Sequence, residues 1–190
     1  MSRAPVRSRA VSDLLATWQT GDHRAGDLAF PTYRKGSGPG VIVIHEIPGI
    51  TPHVIAFGEE VVAAGYTVVL PELFGRTGEP MSGLAVARTL ANVCVRAEFT
   101  KLATGRTAPI ADWLRSLARD LHGELGGPGV GALGMCFTGG FALAMMVDPA
   151  VAAPVLAQPS VPFAIGRARA RDLGLSPADL TVVKERAAAG

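Results

Sequence analysis

The sequence predicts an α/β fold, a doubly wound and mostly parallel sheet with helices on both faces. Three observations lead there. Val41–Ile44, Tyr66–Leu70 and Val130–Leu133 are short apolar runs rich in valine and isoleucine, the pattern of strands buried on both sides. Amphipathic helical stripes lie between them, so strand and helix alternate at about 30 residues, the size of a strand–helix–strand unit. Hydrophobic residues make up 48% of the 190-residue chain and charged residues 18%, which supports a packed core and excludes disorder.

Each element has its own local reason. Residues 1–25 read as a weakly structured N-terminal segment, with a short helix over Val11 to Trp18. Leu28 to Arg34 reads as an edge strand, and Gly36–Gly40 as a turn. Val41–Ile44 is followed by a loop, Glu46-Ile47-Pro48-Gly49. Thr51 then caps a helix with Pro52 at its first position. Its stripe, Val54, Phe57 and Val61, stops at Gly65. Tyr66–Leu70 is the next strand, closed by Pro71. From Phe74 to Gly105 the pattern is irregular and then helical. Pro109 opens a helix with Ile110, Leu114, Leu117 and Leu121 on one face, and Gly126–Gly129 ends it. Val130–Leu133 leads through Gly134–Gly140 into an apolar helix, Phe141 to Val147. Val151–Leu156 is a further strand, and Ser176-Pro177 starts a last helix. The length suits one domain, residues 26–190, and not two.

Composition removes several function classes. Net charge is +2, and the basic residues are scattered, which argues against a nucleic-acid partner. Arg3, Arg7 and Arg9 read as a solvated tail, and Arg167, Arg169 and Arg171 as the polar face of a loop or helix. The longest uncharged stretch, Ala132 to Val147, falls short of the about 18 apolar residues that span a membrane. Two cysteines, Cys94 and Cys136, do not make a secreted disulfide scaffold. A reducing cytoplasm is the expected location.

The sharpest chemical feature is Cys136, set between a buried strand and an apolar helix. Gly134 and Thr138 flank it two residues away, and Gly139 and Gly140 follow. A nucleophile on a strand-to-helix turn requires this pattern, because the turn leaves little room for side chains at the flanking positions. The dipole of the following helix favours a thiolate there. A buried core cysteine in a glycine-rich helix start is the competing interpretation. The second feature is His45-Glu46-Ile47-Pro48-Gly49 at the end of the first buried strand. Sites in open α/β sheets form at the carboxyl ends of strands, so Glu46 and Cys136 are expected on one rim. The backbone N–H groups of Ile47 and Phe137 are placed to hold an oxyanion. Glu46 also has a purely structural alternative, capping the helix after Thr51.

Residues 41–50, Gly65-Tyr66, Val69–Gly75 and Gly134-Met135-Cys136-Phe137-Thr138-Gly139-Gly140 together resemble the dienelactone hydrolases. The resemblance covers roughly residues 38–160. It implies the α/β-hydrolase fold and a Cys-His-Asp triad that opens enol lactones. It implies that Cys136 is the nucleophile and Glu46 the carboxylate contacting the resting thiol, with Ile47 and Phe137 forming the oxyanion hole. No cofactor or metal is implied. The partner is a small-molecule ester or lactone.

The chain departs from that family in two ways. Thr138 stands where glycine is frequent, and its branched side chain is expected to narrow the pocket. No histidine follows Cys136, and the later acids Asp148, Asp172, Asp179 and Glu185 lack a strand-end Gly-x-Asp context. The sheet is therefore expected to be incomplete on its C-terminal side. The alternative function is a truncated or inactive relative that keeps the fold as a binding or assembly module. Val151–Leu156 would then be an unpaired edge through which two copies join. His45 and His53 lie near the rim as possible substitute bases, although a structural histidine is the simpler interpretation of each. His23 falls in the N-terminal segment and His122 at the far end of its helix.

Weaker signals carry less. Gly127–Ala132 matches G-x-G-x-x-A but precedes a strand, the wrong order for a dinucleotide site. His45, Glu46 and His53 are interrupted by Pro48, Gly49 and Pro52, so they are not a zinc motif. Cys94 has no assigned role. Arg76, Arg88, Arg96 and Arg106 are candidates for a substrate carboxylate, with nothing in the sequence to choose among them.

Overall fold

The computed structural model describes residues 11–75, 77, 82–95, 99, 105–160 and 167–189. Its elements are α1 (Val11–Leu15), β1 (Gln19–Ala25), β2 (Leu28–Lys35), β3 (Gly40–Ile44), α2 (Pro52–Ala63), β4 (Thr67–Pro71) and α3 (Gly83–Val95). They continue with α4 (Pro109–Leu125), β5 (Val130–Met135), α5 (Gly139–Met145), β6 (Val151–Ala157), α6 (Arg167–Ala170) and α7 (Pro177–Ala189). One six-stranded sheet has the order β1-β2-β4-β3-β5-β6. β4, β3, β5 and β6 run parallel, while β2 is antiparallel to both β1 and β4.

The central strands are buried on both faces, as their apolar runs require. Ile42 and Ile44 face α4 and α5, where Trp113, Leu114, Leu117, Phe141 and Met145 complete one core. Val43, Val68 and Leu70 face α2 with Val54 and Ile55. The period of two along each strand thus feeds two separate cores. Gly40 opens β3 beneath α4, and a Cβ there would come within 2.8 Å of the Leu121 side chain. Thr51 caps α2 by accepting the Val54 N–H at 3.3 Å, with Pro52 at the first turn.

The structure corrects three expectations. The second half of the 1–25 segment is ordered: α1 and β1 lie in it. β1 reads QTGDHRA, a poor strand by propensity, and it forms because β2 offers a seven-residue register. Trp18 anchors its start. The indole is buried against α2 at Gly58, where a Cβ would sit 2.9 Å from the ring, and its N–H donates to Glu59 at 2.7 Å. For the same reason Leu28 to Arg34 is not an edge strand, since β1 covers it. The helix after Cys136 begins earlier and ends earlier than its apolar run suggests. A 3-10 turn, Cys136–Thr138, leads directly into α5.

Among the described residues, β6 is the outermost strand on its side. α7 and the residue Leu175 just before it close the core beyond α5, with Leu175 and Val183 packed with Ala111 and Ala144. Arg115 ties α7 down by donating to Asp179 at 2.8 Å and to the Ala144 carbonyl. Arg186 on α7 reaches back to the carbonyl groups of Met146, Asp148 and Val151. No helix among the described residues is long and apolar enough to cross a membrane.

Candidate active site

Cys136 follows β5 with φ of 51°, in the left-handed region that non-glycine residues rarely enter. Such strain concentrates at functional positions. The neighbouring residues show why the turn tolerates so little. A Cβ on Gly134 would lie 2.3 Å from the Thr138 carbonyl oxygen, and one on Gly139 would lie 2.8 Å from the Pro159 side chain. The Cys136 side chain is left half-buried at the rim.

Thr138 does not narrow the pocket. Its side chain is fully buried beneath the turn. The hydroxyl accepts the Met135 N–H at 3.0 Å, and its hydrogen faces the carbonyl oxygens of Met135 at 2.9 Å and Ile44 at 3.2 Å. A methyl-bearing residue is accommodated because it points into the sheet and fastens the end of β5 to the end of β3.

That link also sets the position of Glu46. Register places Ile44 opposite Gly134, so Glu46 and Cys136 each lie two residues beyond a paired position on adjacent strands. Glu46 and Ile47 are half-buried, and Phe137 is buried. The Ile47–Pro48 peptide is cis. Among the described residues, the hydrogen-bond partner of the Cys136 sulfur is the Ser160 hydroxyl, at 3.3 Å, and not Glu46.

His45 is sealed away from the thiol. It is fully buried. Nδ1 lies 3.0 Å from the Glu46 carbonyl oxygen, and Nε2 accepts the Leu73 N–H at 3.1 Å. These two partners leave one consistent tautomer, with the proton on Nδ1. Burial drives its pKa down from 6.5 to about 4, against smaller upward effects of the Glu46 carbonyl and Glu72. The ring packs edge-on against Phe74 at 4.4 Å, and Phe74 meets Phe99 and Phe137 in turn. An aromatic floor therefore runs under the rim. His53 is exposed on α2.

Beside this floor lies a cleft of about 490 Å³, lined by Phe30, Glu72, Phe74, Arg88, Thr89 and Asn92 among others. Of the four candidate arginines, Arg88 lines this cleft and Arg106 is exposed. Arg76 and Arg96 lie outside the described residues, as does the Cys94 side chain. Sequence reasoning missed Ser160 as the partner of the thiol. The available signal was its place, three residues past a strand that neighbours the Cys136 strand.

The comparisons agree with this fold. The dienelactone hydrolase family profile matches residues 26–169. A solved structure from Klebsiella pneumoniae subsp. pneumoniae MGH 78578, assigned as a dienelactone hydrolase, is 16% identical with a TM-score of 0.53. The alignment covers 91% of this chain and 82% of that one. DcsB, solved with a substrate analogue, is 18% identical with a TM-score of 0.55, and the match covers 90% of this chain and 53% of DcsB. At these identities the two structures support the fold. No curated protein sequence matches the chain. With the family profile spanning most of its length, the chain belongs to the dienelactone hydrolase family.

Proposed function

We propose that the chain acts as a carboxylic ester or lactone hydrolase with a cysteine nucleophile. Cys136 Sγ attacks the carbonyl carbon of the substrate. The N–H groups of Ile47 and Phe137 receive the developing oxyanion, and Glu46 assists in forming the thiolate. The observation that carries this reading is the strained backbone of Cys136 at a strand end, packed so tightly that Gly134 admits no side chain. Family membership supports the reaction class.

The test is a labelling order followed by kinetics. Limited iodoacetamide treatment should modify Cys136 before Cys94. Equal or reversed labelling removes the nucleophile assignment. Glu46→Gln should shift the pH dependence of Cys136 alkylation, and an unchanged profile means that the two residues do not communicate.

A second reading is favoured by His45. Both of its ring nitrogens are engaged, and no histidine follows Cys136 in the sequence. A general base typically contributes about 10²–10⁴-fold, and hydrolysis of a thioester intermediate needs one. On this reading the 190-residue chain acts as an inactive or assembly-forming relative, with β6 pairing edge to edge with a second copy. It should give a single burst with p-nitrophenyl acetate and scatter light as a dimer or larger species. Steady multiple turnover by a monodisperse monomer eliminates this second reading.

A further inference from the structure

The three residues after β6 fold over the nucleophile turn. Gln158 takes φ of 50°, which turns the chain inward. Pro159 packs on the α-carbon of Gly139, where a Cβ would come within 2.8 Å of the proline. Ser160 then contacts Cys136 twice. Its N–H donates to the Cys136 carbonyl at 3.0 Å, and its hydroxyl lies 3.3 Å from the sulfur. Two non-glycine residues in left-handed conformation, Cys136 and Gln158, thus sit at adjacent strand ends on either side of the Ser160–Cys136 contact.

We propose that Ser160 is a positioning residue that donates its hydroxyl to the Cys136 sulfur and holds the thiolate at the rim. The inference rests on the nucleophile reading above and assigns a residue to that same site. The direction of the bond follows from chemistry. A thiol has a weak S–H donor, so either partner can donate at rest. A thiolate has no hydrogen, so only the serine can donate to it. Hydrogen bonds to an ionised acceptor are roughly twice as strong as neutral ones. The hydroxyl therefore stabilises the thiolate more than the thiol and favours ionisation.

The surroundings make this contribution separable. β5, the turn 136–138, α5, β6 and residues 158–160 contain no titratable side chain other than Cys136. Glu46 lies two residues past the end of the adjacent strand β3, and His45 is turned toward Leu73. The backbone bond from Ser160 to Cys136 does not use the hydroxyl, so it persists when the hydroxyl is removed. Ser160 is also exposed, and its truncation leaves no cavity.

The experiment uses the full chain and iodoacetamide, with peptide mapping of Cys136 across a pH series. Ser160→Ala should move the midpoint of Cys136 alkylation upward by about half to one pH unit. Ser160→Thr, which keeps a hydroxyl, should move it back toward the wild-type position. A midpoint unmoved or lowered by Ser160→Ala overturns this proposal while the nucleophile reading stands. Wild-type labelling of Cys94 ahead of Cys136 overturns both.

Discussion

Replacing Gly134 by alanine should destabilise the protein by about 3 kcal/mol, the upper end of what overpacking a core costs. For a chain of this size, that is a fall in melting temperature of about 6–12 °C. The added Cβ would meet the Thr138 carbonyl oxygen at 2.3 Å, its carbon at 2.8 Å and the Ala142 Cβ at 3.0 Å. The first two are backbone atoms and cannot rotate away. Moving them displaces Thr138, whose hydroxyl is the link between Met135 and Ile44. The damage therefore extends from the nucleophile turn to the end of β3. Gly140→Ala is the matched control. It is a neighbouring glycine in α5, and its Cβ would meet nothing closer than the Leu173 carbonyl oxygen at 3.9 Å. It should be neutral or stabilising by up to about 1 kcal/mol, since glycine is unfavourable within a helix. Equal melting of the two variants by differential scanning calorimetry would show that the turn relaxes freely.

Stability should also fall in mild acid, chiefly through His45. Burial lowers the folded-state pKa of His45 to about 4, from an ordinary value of 6.5. Between those values the unfolded chain binds a proton that the folded chain does not, so stability rises with pH across this window. Above about 6.5 both states are neutral, and this contribution to the pH dependence vanishes. Integrated over the window, the loss on acidification amounts to about 3 kcal/mol. The structural cause is specific. A proton added to Nε2 would face the Leu73 N–H that this nitrogen now accepts. His23 acts in the same direction. Burial lowers its pKa and Asp120 partly opposes the shift, so its share of the loss is smaller. Denaturant unfolding at pH 7 and pH 4.5 measures the sum. His45→Asn should be less stable at pH 7 and should lose most of the slope. A variant that retained the wild-type slope would assign the acid sensitivity to other groups.

How much of this was legible in the sequence depends on the range of the interactions involved. The three central strands were readable because burial on both faces demands unbroken apolar runs. α2 was readable from Thr51-Pro52, since a cap and an N1 proline act within one turn of chain. The turn at Cys136 was readable because Gly134 is two residues away, so its steric requirement is local. β1 was not readable. Its residues resist strand formation, and β2, the seat of Trp18 on Gly58 and the packing of His23 on Trp113 supply the energy. Thr138 was visible as a departure from family pattern, yet its direction depends on Ile44, 94 residues earlier. His45 lay in a recognisable motif, but whether it served the thiol or the fold was decided by Leu73 on the far side of the strand end. Ser160 meets Cys136 only because β6 lies beside β5. By itself, then, the sequence determined the layered fold and the candidate nucleophile, which rest on short-range sterics and on burial. The partners of Cys136, His45 and Thr138 were decided by strand order, which brings residues together that no local pattern connects.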